Sequence, residues 1–221
     1  MTVSSKLKVH TFPIGSYACN CSLVYSEQTK EAIIIDPGND FEALKQTVES
    51  LNLKPKLLLH THAHFDHIGR SPEARAYFKA PIALHKEDLF LYQALPQQGR
   101  YFGQSVGAPE PIDREINDGE TYSLDDQSLK NFLTAIHTPG HTPGSCCFYT
   151  EATEVPLLFA GDTLFQGSIG RTDLPGGDQH AITRSIKERL YKLPEETGVV
   201  AGHGPSTQIA YEKKYNPFVC G

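Results

Sequence analysis

Four short apolar runs in this chain each lead into histidine or aspartate. Lys56-Leu57-Leu58-Leu59 precedes Thr61-His62-Ala63-His64-Phe65-Asp66-His67, and Phe132-Leu133-Thr134-Ala135-Ile136 leads into His137-Thr138-Pro139-Gly140-His141. Pro156-Leu157-Leu158-Phe159-Ala160 leads into Gly161-Asp162, and Gly198-Val199-Val200-Ala201 into Gly202-His203-Gly204. Short apolar runs bounded by Gly and Pro are read as buried strands. Four strands that each end in a metal-ligand type are what a metal site at one edge of a sheet requires. Few folds bring so many strand ends to one place.

The 221 residues suffice for a full core, and one domain over 1–221 is expected. The net charge is −6 and no cluster of Lys and Arg stands out, so no nucleic-acid partner is expected. Met1 to Pro13 has no apolar core of signal-peptide length, and no run reaches the roughly 20 apolar residues of a membrane helix. A cytoplasmic protein without a membrane partner is the expectation. The five cysteines show no Cys-x-x-Cys spacing. Cys19 and Cys21 share one strand face and read as small buried hydrophobes, as do Cys146 and Cys147, and Cys220 as an exposed tail thiol.

Strands are expected at Leu7–Phe12, Ser22–Tyr25, Ala32–Ile35, Lys56–Leu59 and Pro81–Leu84. Asn39 or Asp40 caps a helix from Phe41 to Leu51, with Phe41, Leu44, Val48 and Leu51 on one face. Ser71 is a cap ahead of Pro72, opening a helix to about Lys79, and Lys86 to Leu95 is a further helix. Pro96 to Asn117 shows no periodicity and is read as a long loop, as is Gln166 to Gly177. The closely spaced strands from Glu120 to Phe159 suit antiparallel hairpins. Asp178 caps a helix to about Tyr191, and a last helix runs from Pro205 to Lys213. This order suits an α/β sandwich: two mixed sheets packed together with helices on the outer faces.

His62 and His64 are two residues apart, so in an extended segment their rings project to one side and can hold one ion. Asp66 and His67 follow where the chain turns into helix, which aims them elsewhere. One motif can therefore serve two metals, with His141, Asp162 and His203 completing the set and positions left open for water, the mark of a catalytic site. Of the remaining histidines, His10, His60, His85, His137 and His180 read as surface or satisfied core.

The sequence His-x-His-x-Asp-His, followed by Gly-His, Gly-Asp and Gly-His-Gly, resembles the metallo-β-lactamase superfamily, and the likeness covers nearly the whole chain. It implies that His62, His64 and His141 bind a first divalent ion and Asp66, His67 and His203 a second, with Asp162 bridging. Zinc is the expected metal, with iron or manganese as alternatives. Thr138-Pro139-Gly140-His141-Thr142-Pro143-Gly144-Ser145 and Phe159-Ala160-Gly161-Asp162-Thr163-Leu164-Phe165 resemble the glyoxalase II branch, the hydroxyacylglutathione hydrolases. Gly167-Ser168-Ile169-Gly170-Arg171-Thr172-Asp173 and Asn216-Pro217-Phe218 look like its short bacterial-type members, without the C-terminal helical domain of the long ones.

The resemblance implies a small-molecule thioester partner, S-lactoylglutathione or a related hydroxyacyl-glutathione, cleaved by a metal-bound hydroxide, with Asp66 and Asp162 in the catalytic machinery. It suggests Asp36 as a support for the ligand loop. Arg171 stands where a basic residue usually holds a glutathione carboxylate, a task its forked guanidinium suits, yet Asp173 replaces a common Tyr and competes for it. Arg100-Tyr101-Phe102 can line the cleft. The alternatives are a mononuclear iron persulfide dioxygenase of the same superfamily and a hydrolase of another small ester or thioester. A flavodiiron-type site would want Glu at Ala63, and a β-lactamase is disfavoured because the bridging position is Asp162 rather than Cys. Oligomeric state is not legible.

Overall fold

The apolar runs do become strands, and their alternation decides which face each side chain takes. The computed structural model describes residues 7–220. The first sheet comprises β1 (Leu7–Ile14), β2 (Cys19–Ser26), β3 (Glu31–Ile35), β4 (Lys54–Leu59), β5 (Ile82–His85) and β6 (Arg114–Ile116), in that spatial order. The strands β1 to β3 pair antiparallel and β3 to β6 parallel. The second sheet comprises β7 (Thr121–Tyr122), β8 (Leu133–His137), β9 (Cys146–Thr150), β10 (Leu157–Gly161), β13 (Gly198–Ala201) and β14 (Thr207–Gln208). Its order is β14-β13-β10-β9-β8-β7, parallel only between β10 and β13. A two-stranded ribbon, β11 (Leu164–Phe165) and β12 (Ser168–Ile169), stands apart.

Every residue of β3 is buried, because both faces of this strand are covered. Ile33 and Ile35 point with Val24, Leu57 and Leu59 toward Leu133, Ala135, Phe148 and Phe159 of the second sheet. Ala32 and Ile34 point the other way, against Leu44 and Val48 of α1 (Phe41–Ser50) and Ala74 of α3 (Ser71–Phe78). On the far side, Cys147, Leu158, Ala160 and Val199 pack against Ile182 and Ile186 of α6 (Gln179–Glu188). The layers are thus helix, sheet, sheet, helix, as expected. Each fully buried Ile, Leu or Phe contributes about 1.5–3 kcal/mol relative to exposure, so the two-residue period largely dictates the sandwich. The adjacent Cys146 and Cys147 face opposite cores, and Cys19 and Cys21 share one, all without a disulfide.

The remaining helices are α2 (Phe65–Ile68), α4 (Leu89–Gln93), α5 (Leu95–Tyr101) and α7 (Ile209–Tyr215). Asp40 caps α1 through Ala43 N–H, and Asp178 caps α6 through His180 and Ala181 N–H. Five expectations fail locally. Ser71 does not cap α3: its hydroxyl turns inward to His60 Nε2, 2.7 Å away, and the cap position falls to Arg70. The helix expected over 86–95 is a 3-10 turn, Lys86–Asp88, followed by α4, because Asp88 is drawn into the interior. The loop expected over 96–117 holds most of α5 and all of β6; Pro96 sits in the first turn of α5, where its missing N–H costs nothing. The last helix starts at Ile209 because Thr207 and Gln208 pair with Val199 and Gly198. Similarly, the loop over 166–177 contains β12. Among the described residues no helix is long and apolar enough to cross a membrane.

Candidate metal centre

All seven residues expected at a metal site meet at one edge of the sandwich. His62 and His64 follow β4, Asp66 and His67 lie on α2, and His141 follows β8 in the turn to β9. Asp162 follows β10 and His203 follows β13. Two glycines make the approach possible. Gly161 adopts φ +48°, and a Cβ there would stand 2.5 Å from Thr61 Oγ1; a Cβ at Gly202 would overlap Asp162 Oδ1.

The side chains form two groups. His62, His64 and His141 present ligand atoms within 4.8 Å of one another, and so do Asp66, His67 and His203. Asp162 stands between them: Oδ2 lies 3.5 Å from His141 Nε2, while Oδ1 lies 3.4 Å from His67 Nε2 and 3.7 Å from His203 Nε2. The partition implied by the resemblance is therefore also the spatial one.

Three observations fit these residues to cations. His62 Nε2 and Asp162 Oδ1 are buried with no hydrogen-bond partner, an expensive state for a polar atom unless something else compensates it. His64 Nδ1 lies 2.9 Å from His141 Nε2, and His67 Nε2 lies 3.1 Å from His203 Nε2. The tautomers sharpen the last point. His67 Nδ1 faces Asp36 Oδ2 at 2.9 Å and His203 Nδ1 faces the Tyr17 carbonyl at 2.9 Å, so each neutral ring donates there. Both Nε2 lone pairs then point into the same gap, which a shared cation resolves.

Electrostatics agree with this reading at the first group. Burial, reinforced by the neighbouring histidines, pushes His62 well below the usual imidazole range and His64 down to about 3, so both are neutral ligands at physiological pH. At the second, burial works against a charged ring, but the surrounding acidic groups, Asp162 and Asp66 among them, outweigh it and raise His67 and His203 above the usual imidazole range before an ion binds, so a cation there would take the place of a proton. Burial works against ionisation of Asp66, but His67 and His203 outweigh it and hold the carboxyl below the usual carboxylate range.

Asp36 organises this edge. It adopts φ +52° and sits fully inside, accepting from Thr61 N–H at 2.8 Å, Thr61 Oγ1 at 2.6 Å and His67 Nδ1 at 2.9 Å. Thr61 Oγ1 in turn lies 3.0 Å from His62 Nδ1, so Asp36 reaches a residue of each group. Several supports were not anticipated. Asp88 accepts from Ala63 N–H at 2.9 Å, Gly144 N–H at 2.6 Å and Thr142 Oγ1 at 2.8 Å, tying the His62–His64 segment to the His141 turn. Gln98 accepts from Phe65 N–H at 3.1 Å and donates to the Ala63 carbonyl at 3.1 Å. Cys19 Sγ lies 3.4 Å from His67 Nδ1, and burial pushes this thiol up to about 12, so it is no nucleophile. Nothing in the local sequence around Asp88 or Gln98 signals these roles, since their partners lie more than twenty residues away.

Arg171 and Asp173 form an exposed two-pronged pair, Nε to Oδ1 and Nη2 to Oδ2, each 2.7 Å. The backbone of Arg171 reaches the site more directly: its carbonyl accepts from His141 Nδ1 at 2.8 Å. Beside His64 opens a cavity of about 520 Å³, walled by Phe90, Leu91, Ala94, Tyr101, Phe102, Leu174 and Pro175, with Asp173 on its rim. Tyr101 and Phe102 thus reach the cleft as expected, and Arg100 is not among the residues lining it. His60 is a satisfied core histidine, bonded to Ala83 O and Ser71 Oγ, with burial holding it down at about 4.

The family model of the metallo-beta-lactamase superfamily matches residues 14–203. A relative named hydroxyacylglutathione hydrolase GloC, from Haemophilus influenzae, is 39% identical over 216 residues, covering 96% of this chain and 98% of that one. The crystal structure of the BLEG-1 B3 metallo-beta-lactamase matches with TM-score 0.86 and 39% identity, over 97% of this chain and 100% of that one. TTHA1623, in a di-iron-bound form, matches with TM-score 0.84 and 35% identity, over 95% of this chain and 99% of that one. The strand-end ligands, the helix–sheet–sheet–helix layers and these likenesses over almost the full length agree: the chain belongs to the metallo-β-lactamase superfamily.

Proposed function

We propose that this protein is a dinuclear-metal hydrolase of thioesters, acting on S-lactoylglutathione or a related hydroxyacyl-glutathione. The observation that carries the reading is the pair of three-residue groups with one carboxylate, Asp162, turned toward both. His62, His64 and His141 would hold one ion and Asp66, His67 and His203 the other. Bound divalent ions supply water activation near neutral pH and charge for a developing oxyanion. The chain's own part is to fix them. Asp36 and Tyr17 set the tautomers of His67 and His203, and the Arg171 carbonyl sets that of His141. Asp66 keeps an ionised Oδ2 3.2 Å from His203 Nε2, where it can orient water. A thiolate leaves without a protein acid, and no buried cysteine is poised to compete. The likeness to GloC supports the thioester assignment, and the zinc expectation stands beside iron because a relative carries two irons.

The likeness to BLEG-1 favours a second reading, β-lactam hydrolysis. Metal analysis combined with turnover of S-lactoylglutathione, simpler thioesters, a β-lactam and a glutathione persulfide with oxygen monitoring separates the readings. Two ions per chain with thioester turnover is the expected result. Turnover of the β-lactam alone, or oxygen consumption with a single iron, would replace it.

The partition has its own test. His64→Ala should empty mainly the first position and His203→Ala mainly the second, read by anomalous scattering at the two positions. Equal occupancy at both positions in both variants would refute the assignment.

Substrate recognition is the third test. Arg171→Ala should raise KM for S-lactoylglutathione roughly fivefold, the scale of an exposed charge contact, and leave a thioester without the carrier carboxylates unaffected. Asp173→Ala, which frees the guanidinium, should lower that KM. A uniform drop for both substrates in Arg171→Ala would leave Arg171 a purely structural residue and withdraw glutathione from the reading.

A further inference from the structure

Outside the dinuclear edge, two histidines treated by the sequence reading as ordinary come together from different sheets. His85 ends β5 of the first sheet and His137 ends β8 of the second. Their rings stack with centroids 4.2 Å apart and planes 15° apart. Glu87, in the 3-10 turn after β5, places Oε2 3.9 Å from His137 Nε2. One ligand atom from each of the three lies within 4.8 Å of the others.

We propose that His85, Glu87 and His137 form a third divalent-cation site, of the zinc type, which clips the end of β5 to the end of β8. Two imidazoles and a carboxylate are a donor set that zinc, nickel and copper favour. Burial, with His137 adding to it, holds His85 below the usual imidazole range, and the Nδ1 lone pair of this neutral ring accepts only a long contact from Glu87 N–H at 3.4 Å, which an ion would replace. His137 Nε2 now donates to the Pro143 carbonyl at 2.8 Å; an ion replacing that proton finds the carbonyl oxygen as a further donor. The Glu87 side chain is half exposed, so the ion can enter from solvent and the carboxylate can close on it. Binding requires the stacked rings to turn as well as part. The rings of His62, His64 and His141 cross at 83–89° with centroids 4.7–4.8 Å apart, whereas those of His85 and His137 lie 15° apart at 4.2 Å, so at least one imidazole must rotate about its χ angles to aim its lone pair at a shared ion.

The position gives the site a consequence. Glu87 adjoins Asp88, which holds Ala63 and Gly144, and Pro143 lies in the His141 turn. An ion here would stiffen both segments that carry the first group of ligands without touching a reacting atom.

The test is a difference in zinc stoichiometry between the full-length protein and variants, each saturated with Zn²⁺ and passed through gel filtration, so it does not depend on how many ions the catalytic edge holds. The wild type should retain one ion more than His137→Ala. Glu87→Gln, a change at a half-exposed side chain that spares the fold, should weaken retention of that ion at least about tenfold, and the rise in Tm on adding zinc should shrink with it. Circular dichroism confirms that the variants fold; should His137→Ala fail to fold, the Glu87→Gln titration alone decides. Identical stoichiometry in the wild type and both variants overturns the site, whether or not the dinuclear reading survives. Retention of the extra ion with unchanged affinity in Glu87→Gln overturns the role of the carboxylate.

Discussion

Asp162→Ala is expected to cut hydrolysis severely and to release at least one of the two proposed ions. Its two oxygens face different groups, Oδ2 toward His141 and Oδ1 toward His67 and His203, so one truncation takes a ligand from both positions. It also removes the negative charge that would lie between two dications, whose repulsion is large at a separation of a few ångströms in a partly buried site. The expected loss is at least about a hundredfold in kcat, on the scale of removing a principal electrostatic group from an active site. Metal analysis and turnover on one preparation provide the check. Asp162→Asn, which keeps the shape and one acceptor, should fall between wild type and alanine. Full metal content with full turnover in Asp162→Ala would sink the dinuclear assignment.

The second large effect is at Asp36, which touches no ion. Asp36→Ala leaves Thr61 N–H and His67 Nδ1–H buried without acceptors, each worth about 1–3 kcal/mol, and removes the group that orients His67. Stability and metal affinity should therefore fall together, the affinity by about ten- to a hundredfold. Competition with a chelator measures the second and urea denaturation the first. Asn tolerates the left-handed backbone that Asp36 occupies at φ +52° and keeps one acceptor oxygen, so Asp36→Asn should recover much of the stability and less of the affinity. Unchanged affinity in Asp36→Ala would show that the loop is positioned by other means.

The sequence disclosed much of this site because its signals are local. A strand that ends in His or Asp declares both its direction and its cargo within six residues, so the meeting of His62, His64, Asp66, His67, His141, Asp162 and His203 at one edge was legible. The supports were not. Asp88 and Gln98 act on partners far along the chain, and an acidic residue after Lys86-Glu87 looks like a solvated helix start until the fold turns it inward. Pro96 was ambiguous because proline both breaks a helix and opens one, and tertiary packing chose the second. Ser71 had the right type for a cap but was taken by His60. At Arg171 the side chain drew notice, while the backbone carbonyl makes the contact to His141. The stacked pair of His85 and His137 was invisible for a related reason: their strands belong to different sheets, and only the face-to-face packing of the sandwich makes them neighbours.

The centre is divided along the same seam. The first sheet and the helices after it, within residues 7–116, carry His62, His64, Asp66 and His67; the second sheet, from residue 121 onward, brings His141, Asp162 and His203. Neither half owns a complete set for either ion, since each group draws on both. An ion bound at this edge is therefore a cross-link between two separately wound halves of the chain. A protease cut between the halves, in the turn linking Ile116 to Thr121, would leave two fragments held by their shared core and, at the edge, by the metals. Chelation would then loosen the nicked protein far more than the intact one, a behaviour that depends on where the chain crosses from one sheet to the other.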